Sequence, residues 1–209
     1  MSDKQPSARD LPPFPSNRLL YRPFALSDAE NAFAVFGDAQ VMQYSVSGRD
    51  LDLGATVARI QRYVGQNVAT GFAPWAIVET ATECVIGFCG LMRLEGGNDV
   101  EIAYRLRRDR WGKGMATEAA TAWIDRGFSL LRLSRILAFV DPANTASLRV
   151  VAKIGMRFVE SCRYEGIPVR KYEITNENAA AFGDVSEVER DSDEQAEAGE
   201  ARRNAGDGR

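Results

Sequence analysis

Five cations fall between Arg105 and Lys113 (Arg105, Arg107, Arg108, Arg110 and Lys113), and Gly112 and Gly114 close that stretch just before a run with helical spacing. The combination suits a phosphate. The first turn of a helix carries N–H groups without intrahelical partners and about half a positive charge from the aligned peptide dipoles. Glycines at the mouth remove the side chains that would hold a ligand off those N–H groups. The spacing departs from two better-known phosphate loops. No G-x-x-x-x-G-K-[ST] occurs, and residues 111–117 (WGKGMAT) lack the third glycine of G-x-G-x-x-G. On spacing alone, a glycine turn with solvated charges at a sheet edge accounts for the run equally well.

The chain contains no histidine. Serine–histidine and cysteine–histidine nucleophilic schemes are therefore excluded, together with most zinc sites, and no metal is expected. Proton transfer must come from carboxylates, tyrosine, lysine, serine or water. Cys84 and Cys89 lie five positions apart in or beside one expected strand, so a period of two sends them to opposite faces. Like Cys162, they read as small apolar residues.

The net charge of −3 is unevenly spread: residues 181–209 carry a net −5, which leaves +2 on residues 1–180. Residues 179–209 are too polar to bury surface that would offset their ordering entropy and are expected to form a disordered acidic tail. Residues 1–16, polar and proline-bearing, lack the apolar stretch of a signal peptide and are expected to form a flexible segment. One folded domain is expected over residues 17–178, since 209 residues with 45% hydrophobic and 26% charged composition suit a single sizeable core. No run approaches the roughly 18 apolar residues of a membrane helix. A cytoplasmic protein with no membrane partner is the expectation.

The elements that must position the basic run follow from periodicity. Residues 18–23 read as a strand. Ser27 and Glu30 have capping-box spacing, so a helix is expected from Asp28 to about Phe36, and a second over residues 53–66. Strands over 72–79, 84–94 and 99–107 look like an antiparallel meander, with Val100, Ile102, Tyr104 and Leu106 alternating along the third. A helix is expected over 115–131. The apolar run 135–140 (RILAFV) reads as a strand covered on both faces, and a short helix over 145–154 ends at Gly155. Strands over 157–164 and 169–175 complete the order β-α-α-β-β-β-α-β-α-β-β. The fold class is α/β: a mixed, mostly antiparallel sheet flanked by helices, with one βαβ crossover in its second half.

Two further segments stand in the order that gives the basic run a context: residues 141–147 (DPANTAS) after the buried strand, and 153–158 (KIGMRF) closing the next helix. Together with residues 18–24 (RLLYRPF), Asp28, residues 101–104 (EIAY) and 111–118 (WGKGMATE), they make the chain resemble the GNAT superfamily of N-acetyltransferases. It is most similar to the branch that acetylates N-terminal amines of ribosomal proteins. The resemblance implies acetyl-CoA as cosubstrate and an amine acceptor, a protein N-terminus or a small molecule, with a monomer or homodimer as the assembly. It implies that the backbone of Tyr104, Arg105 and Leu106 pairs with the pantetheine arm. Gly112, Lys113, Gly114, Met115, Ala116 and Thr117 would cradle the pyrophosphate, Asn144 would hydrogen-bond the pantetheine or acetyl end, and Ser147 would lie near the CoA sulfur. The final hairpin, with Tyr164 and Glu165, is where relatives shape the acceptor pocket.

Two departures bear on proton transfer. Many relatives place a tyrosine seven residues after the asparagine, where this chain has Val151, and others a glutamate five residues before it, where this chain has Phe139. The catalytic candidates that remain are Glu101 as base, directly or through water, and Ser147 as proton donor to the departing thiolate. Two other readings compete: a GNAT-like domain that binds acyl-CoA without catalysis, and nucleic-acid binding through the arginines. The second is disfavoured because the cluster is confined to one loop without aromatic interleaving, so no nucleic-acid partner is expected. Arg149 and Lys153 on the short helix read as solvated or as CoA-phosphate contacts.

Overall fold

The computed structural model describes residues 11–177. The strands are β1 (Phe14–Pro15), β2 (Leu19–Arg22), β3 (Trp75–Glu79), β4 (Cys84–Arg93), β5 (Val100–Leu106), β6 (Arg135–Val140), β7 (Arg157–Tyr164) and β8 (Ile167–Thr175). The α-helices are α1 (Ala29–Phe36), α2 (Ala39–Met42), α3 (Leu53–Thr70), α4 (Met115–Ser129) and α5 (Thr145–Lys153). The strands form a single sheet in the order β1-β2-β3-β4-β5-β6-β8-β7. Only β5 and β6 run parallel among its neighbouring pairs. None of the described helices is long and apolar enough to cross a membrane.

The expected order of elements is present with two additions. Strand β1 falls in the segment expected to be flexible, yet Phe14 is 3% exposed, its ring 4.8 Å from Tyr21 and 5.2 Å from Trp123. Burying a side chain of that size contributes about 1.5–3 kcal/mol, enough to dock a two-residue strand that no alternation could announce. Helix α2 is too short to show a period; Asp38 nucleates it by accepting the N–H groups of Gln40 and Val41. The acidic tail lies outside the described residues.

Alternating residues sort into a core on each face of the sheet. On one face α4 sets Trp123 and Phe128 against Trp75, Ile77, Leu91 and Ile102. On the other, Phe36 of α1 and Ile60 of α3 cover Ala76, Val78 and Phe88. Along β4 the alternation slips: Val78 pairs with Val85 but Ile77 with Gly87, leaving Ile86 as an extra residue. This β-bulge reverses the phase of the strand beyond it. Cys84 therefore stands opposite Glu79 and Cys89 opposite Trp75, on the same face rather than on opposite ones. Both cysteines are free thiols.

Helix α1 also starts differently from its expected capping box: Ser27 lies within a 3-10 turn over Leu26–Asp28, and the N-cap is Asp28, whose side chain makes no cap bond to the helix. The carboxylate of Asp28 instead accepts the Ala25 N–H at 2.8 Å and is gripped by both terminal nitrogens of Arg22, at 2.7 and 2.8 Å. Burial opposes the charge on Asp28, but these bonds outweigh it and hold the carboxyl below its usual range. A lowered pKa contributes stability above the unfolded value that is lost as pH falls through the folded one. Asp28→Asn is therefore expected to cost about 1.5–3 kcal/mol at pH 7 by denaturant unfolding, a deficit that shrinks below about pH 4.

Candidate active site

Strand β5 pairs with β4 at every position from Val100 to Leu106 but meets β6 at one register point, Glu101 opposite Leu137. Beyond that point the two parallel strands part, and residues 102–106 present a β6-facing edge without a ladder partner. A wedge opens there toward the C-terminal ends of both strands, where ligands of parallel sheets are received. The turn into α5 and the loop into α4 rise from its two sides.

Alternation divides the β5 side chains between the two mouths of this wedge. Tyr104 points to the side of α4 and α5, where its hydroxyl lies 2.8 Å from the Ser147 hydroxyl. Burial raises the Tyr104 pKa, so the phenol stays neutral and either oxygen can donate. Asn144 caps α5 by accepting the Ser147 N–H at 3.1 Å, which occupies its carbonyl oxygen and holds Ser147 in place.

Glu101, Ala103 and Arg105 face the other way, toward α1 and α3. Glu101 is 7% exposed and accepts a 3.0 Å hydrogen bond from the Tyr164 hydroxyl. Tyr164 in turn stacks on Phe139 of β6, centroids 4.4 Å apart and rings 6° from parallel. Burial pushes the Glu101 carboxyl up to about 7; the Tyr164 hydrogen bond opposes that rise, Glu165 adds to it, and Arg105 opposes it. A carboxylate poised near neutral pH, within a cleft, has the proton affinity a general base needs. The hairpin carrying Tyr164 turns through Glu165 and Gly166, both at positive φ (48° and 81°), which brings the phenol back over β6.

At the far end of β5 the chain passes through a short 3-10 turn at Arg108–Arg110 and enters α4 through Gly112 (φ 71°) and Gly114 (φ 75°). Both glycines occupy the left-handed region that side chains resist, and a Cβ built on Gly112 would meet nothing within 4 Å. Met115, Ala116 and Thr117 form the first turn of α4 behind them. The loop is braced from β2. Glu118 accepts from the Arg18 backbone N–H and side chain, both at 2.8 Å, and Arg18 also donates to the Lys113 carbonyl at 3.0 Å. The mouth of α4 borders an open cavity of about 440 Å³ that is lined also by Ser16, Thr121, Asp125 and Lys153.

The arginines beside this loop answer to protein partners rather than waiting for an anion. Arg107 pairs with Asp109, Arg108 with Asp38, and Arg110 with both Glu79 and Asp109. Their number signalled loop architecture, and Lys113 is the cation of the run exposed at the glycines without an ion pair among the described residues. Two site features gave no sequence signal. The Arg18–Glu118 brace spans 100 positions, and Tyr44 follows a helix too short to detect. Tyr44 crosses the cleft, its carbonyl accepting from Arg105 and its hydroxyl donating to the Ala143 carbonyl, both at 3.2 Å.

Comparison with known proteins places this geometry. The family model described as an acetyltransferase (GNAT) domain matches residues 18–157. The chain is 36% identical over 105 residues to the uncharacterized protein YkkB of Bacillus subtilis, a match covering 49% of this chain and 61% of that one. It is 33% identical over 143 residues to the uncharacterized N-acetyltransferase p20 of Bacillus licheniformis, covering 68% of this chain and 80% of the relative. A solved acetyltransferase (GNAT family) from Bacillus anthracis superposes with a TM-score of 0.68 at 27% identity, over 79% of this chain and 99% of that one. A putative ribosomal-protein-serine acetyltransferase from Vibrio cholerae shares the fold, with a TM-score of 0.68 at 20% identity over 80% and 98% of the two chains.

Proposed function

Since the chain belongs to the GNAT acetyltransferase family, we propose that it transfers an acetyl group from acetyl-CoA to a primary amine by direct attack of the amine on the thioester. The observation that carries this reading is the single-point pairing of β5 with β6. It leaves one strand edge open to a linear pantetheine arm beside a glycine-mouthed helix suited to its pyrophosphate.

In this reading the backbone of Tyr104, Arg105 and Leu106 pairs with the pantetheine, and Gly112, Lys113, Gly114, Met115, Ala116 and Thr117 receive the pyrophosphate. Asn144 has its amide NH₂ free for a carbonyl of the arm. Glu101 takes the proton from the incoming amine on the α1–α3 side, as the nitrogen–carbon bond forms and the carbon–sulfur bond breaks. Ser147, 2.8 Å from Tyr104, gives its hydroxyl proton to the departing sulfur on the other side and regains one from solvent, to which Glu101 releases the proton it took. Two acid–base groups on opposite mouths of one wedge match the two directions from which amine and thioester must approach.

The test is calorimetric titration with CoA and acetyl-CoA, followed by amine-dependent release of free thiol. Micromolar binding together with thiol release supports the proposal. Binding without release by any amine would favour a non-catalytic acyl-CoA-binding domain, and absence of binding would remove both. Ser147→Ala is expected to lower kcat by no more than about tenfold. A thiol of pKa about 8.5 leaves tolerably well unaided, and the Tyr104 hydroxyl remains beside the vacated position.

A further inference from the structure

Arg105 is the arginine of the β5 run that lacks a carboxylate partner among the described residues. Its Nε is sealed from solvent and has no hydrogen-bond partner, while Nη2 donates to the Tyr44 carbonyl at 3.2 Å. Burial lowers its pKa, which marks how poorly the surroundings compensate the charge. Glu101, the acid whose charge reaches it, is engaged with the Tyr164 hydroxyl, and Arg59, which adds a like charge, is itself taken by Asp50 at 2.7 Å. A largely buried guanidinium without an ion-pair partner costs stability, and in the acetyl-transfer reading this one lines the mouth assigned to the acceptor.

Its placement sets the class of anion. Glu101 and Arg105 stand two positions before and after Ala103 on one face of β5. At about 3.3 Å per residue, each lies about 6.6 Å along the strand from the midpoint. An amine delivered to the thioester near Ala103 therefore has a carboxylate base on one side and a guanidinium without an ion-pair partner on the other. Tyr44 straps this end of the cleft to the turn before α5, so the anion must be attached close to the amine. With Nε sealed, the edge open to a ligand is Nη1 together with the second N–H of Nη2, and that planar edge suits a carboxylate, which accepts two parallel N–H groups.

Building on the acetyl-transfer reading of the same cleft, we infer that Arg105 binds the carboxylate of the acceptor, and that the substrates are small amino acids with a free amine and a nearby carboxylate. Peptide N-termini and polyamines, which lack that carboxylate, are poor acceptors. Glu101 handles the proton, and Arg105 decides which amine is presented.

The test measures thiol release with the L-amino acids, each beside the amine that lacks its carboxylate (phenylalanine with 2-phenylethylamine, leucine with isoamylamine), and with Ser- and Ala-initiated tripeptides. Wild type is expected to turn over at least one amino acid with kcat/KM at least about tenfold above its decarboxylated amine. Arg105→Gln should raise the KM for that amino acid by about 10–100-fold more than it raises the KM for the matched amine. Arg105→Lys, which keeps the charge but loses the fork, should fall between. Equal or better use of tripeptides or decarboxylated amines by wild type would overturn the inference, as would an equal loss on both members of a pair. Failure of acetyl transfer itself is separable. If acetyl-CoA binds but no amine releases thiol, N-acetylphenylalanine and N-acetylleucine are titrated in the presence of CoA. Binding that depends on Arg105 then upholds the carboxylate site, whereas binding that is absent or identical in Arg105→Gln refutes it.

Discussion

Glu101→Gln is expected to lower kcat by about 100-fold at pH 7.5 while leaving acetyl-CoA affinity within about twofold, because general base catalysis contributes about 10²–10⁴. The substitution keeps an oxygen for the Tyr164 hydroxyl and removes only the capacity to take a proton. The pH profile distinguishes this role from a structural one. With its pKa pushed up to about 7 by burial, Glu101 is protonated and inactive below that pH. Wild-type kcat/KM should therefore rise through about 7, and the Gln variant should lack that limb while retaining the one set by the acceptor amine. Tyr164→Phe removes a donor that favours the charged carboxylate, so the same limb should move to higher pH. Stability gives an independent check. A carboxyl whose pKa is raised on folding weakens the fold once it ionises, so Glu101→Gln should raise Tm at pH 8.5 and leave it unchanged at pH 4. Activity within threefold of wild type across the profile would remove Glu101 from the chemistry.

Gly114→Glu is expected to weaken acetyl-CoA binding by at least about 100-fold in calorimetric titration. Two effects act together: a non-glycine residue in the left-handed region costs about 1–2 kcal/mol, and its carboxylate stands at the mouth of α4 where a pyrophosphate would sit. The strain alone is measured by Gly96→Glu, which imposes the same penalty at φ 74° in the β4–β5 turn with nothing within 4 Å of the new Cβ. That control should bind acetyl-CoA within about twofold of wild type. Similar losses in both variants would mean that the glycine loop is not the phosphate site and that folding, not binding, was damaged.

Much of the architecture was legible because it rests on local periods. The alternation along Val100–Leu106, the helical stripe opening at Met115 and the apolar run Arg135–Val140 each declared its element within a residue or two. The glycine mouth was readable for the same reason, since backbone that must take positive φ selects glycine in place. Local patterns failed where an element was short or a register slipped. Strand β1 and helix α2 are below the length at which a period exists. The Ile86 bulge put Cys84 and Cys89 on one face although their spacing predicted two.

The sequence by itself determined the chemistry on offer: with no histidine in the chain, proton transfer falls to a carboxylate, tyrosine, lysine, serine or water, and the resemblance to acetyltransferases singled out Glu101 and Ser147 as candidates. What only the tertiary structure decided is the condition of those groups. Burial and the Tyr164 hydroxyl, 63 positions away, set the proton affinity of Glu101. Partners such as Asp38 and Glu79 claimed the arginines that had seemed to await an anion, while Arg105 was left without one. A residue's type is a local property, but its charge state and its vacancies depend on desolvation and on neighbours that meet only when distant strands are brought together.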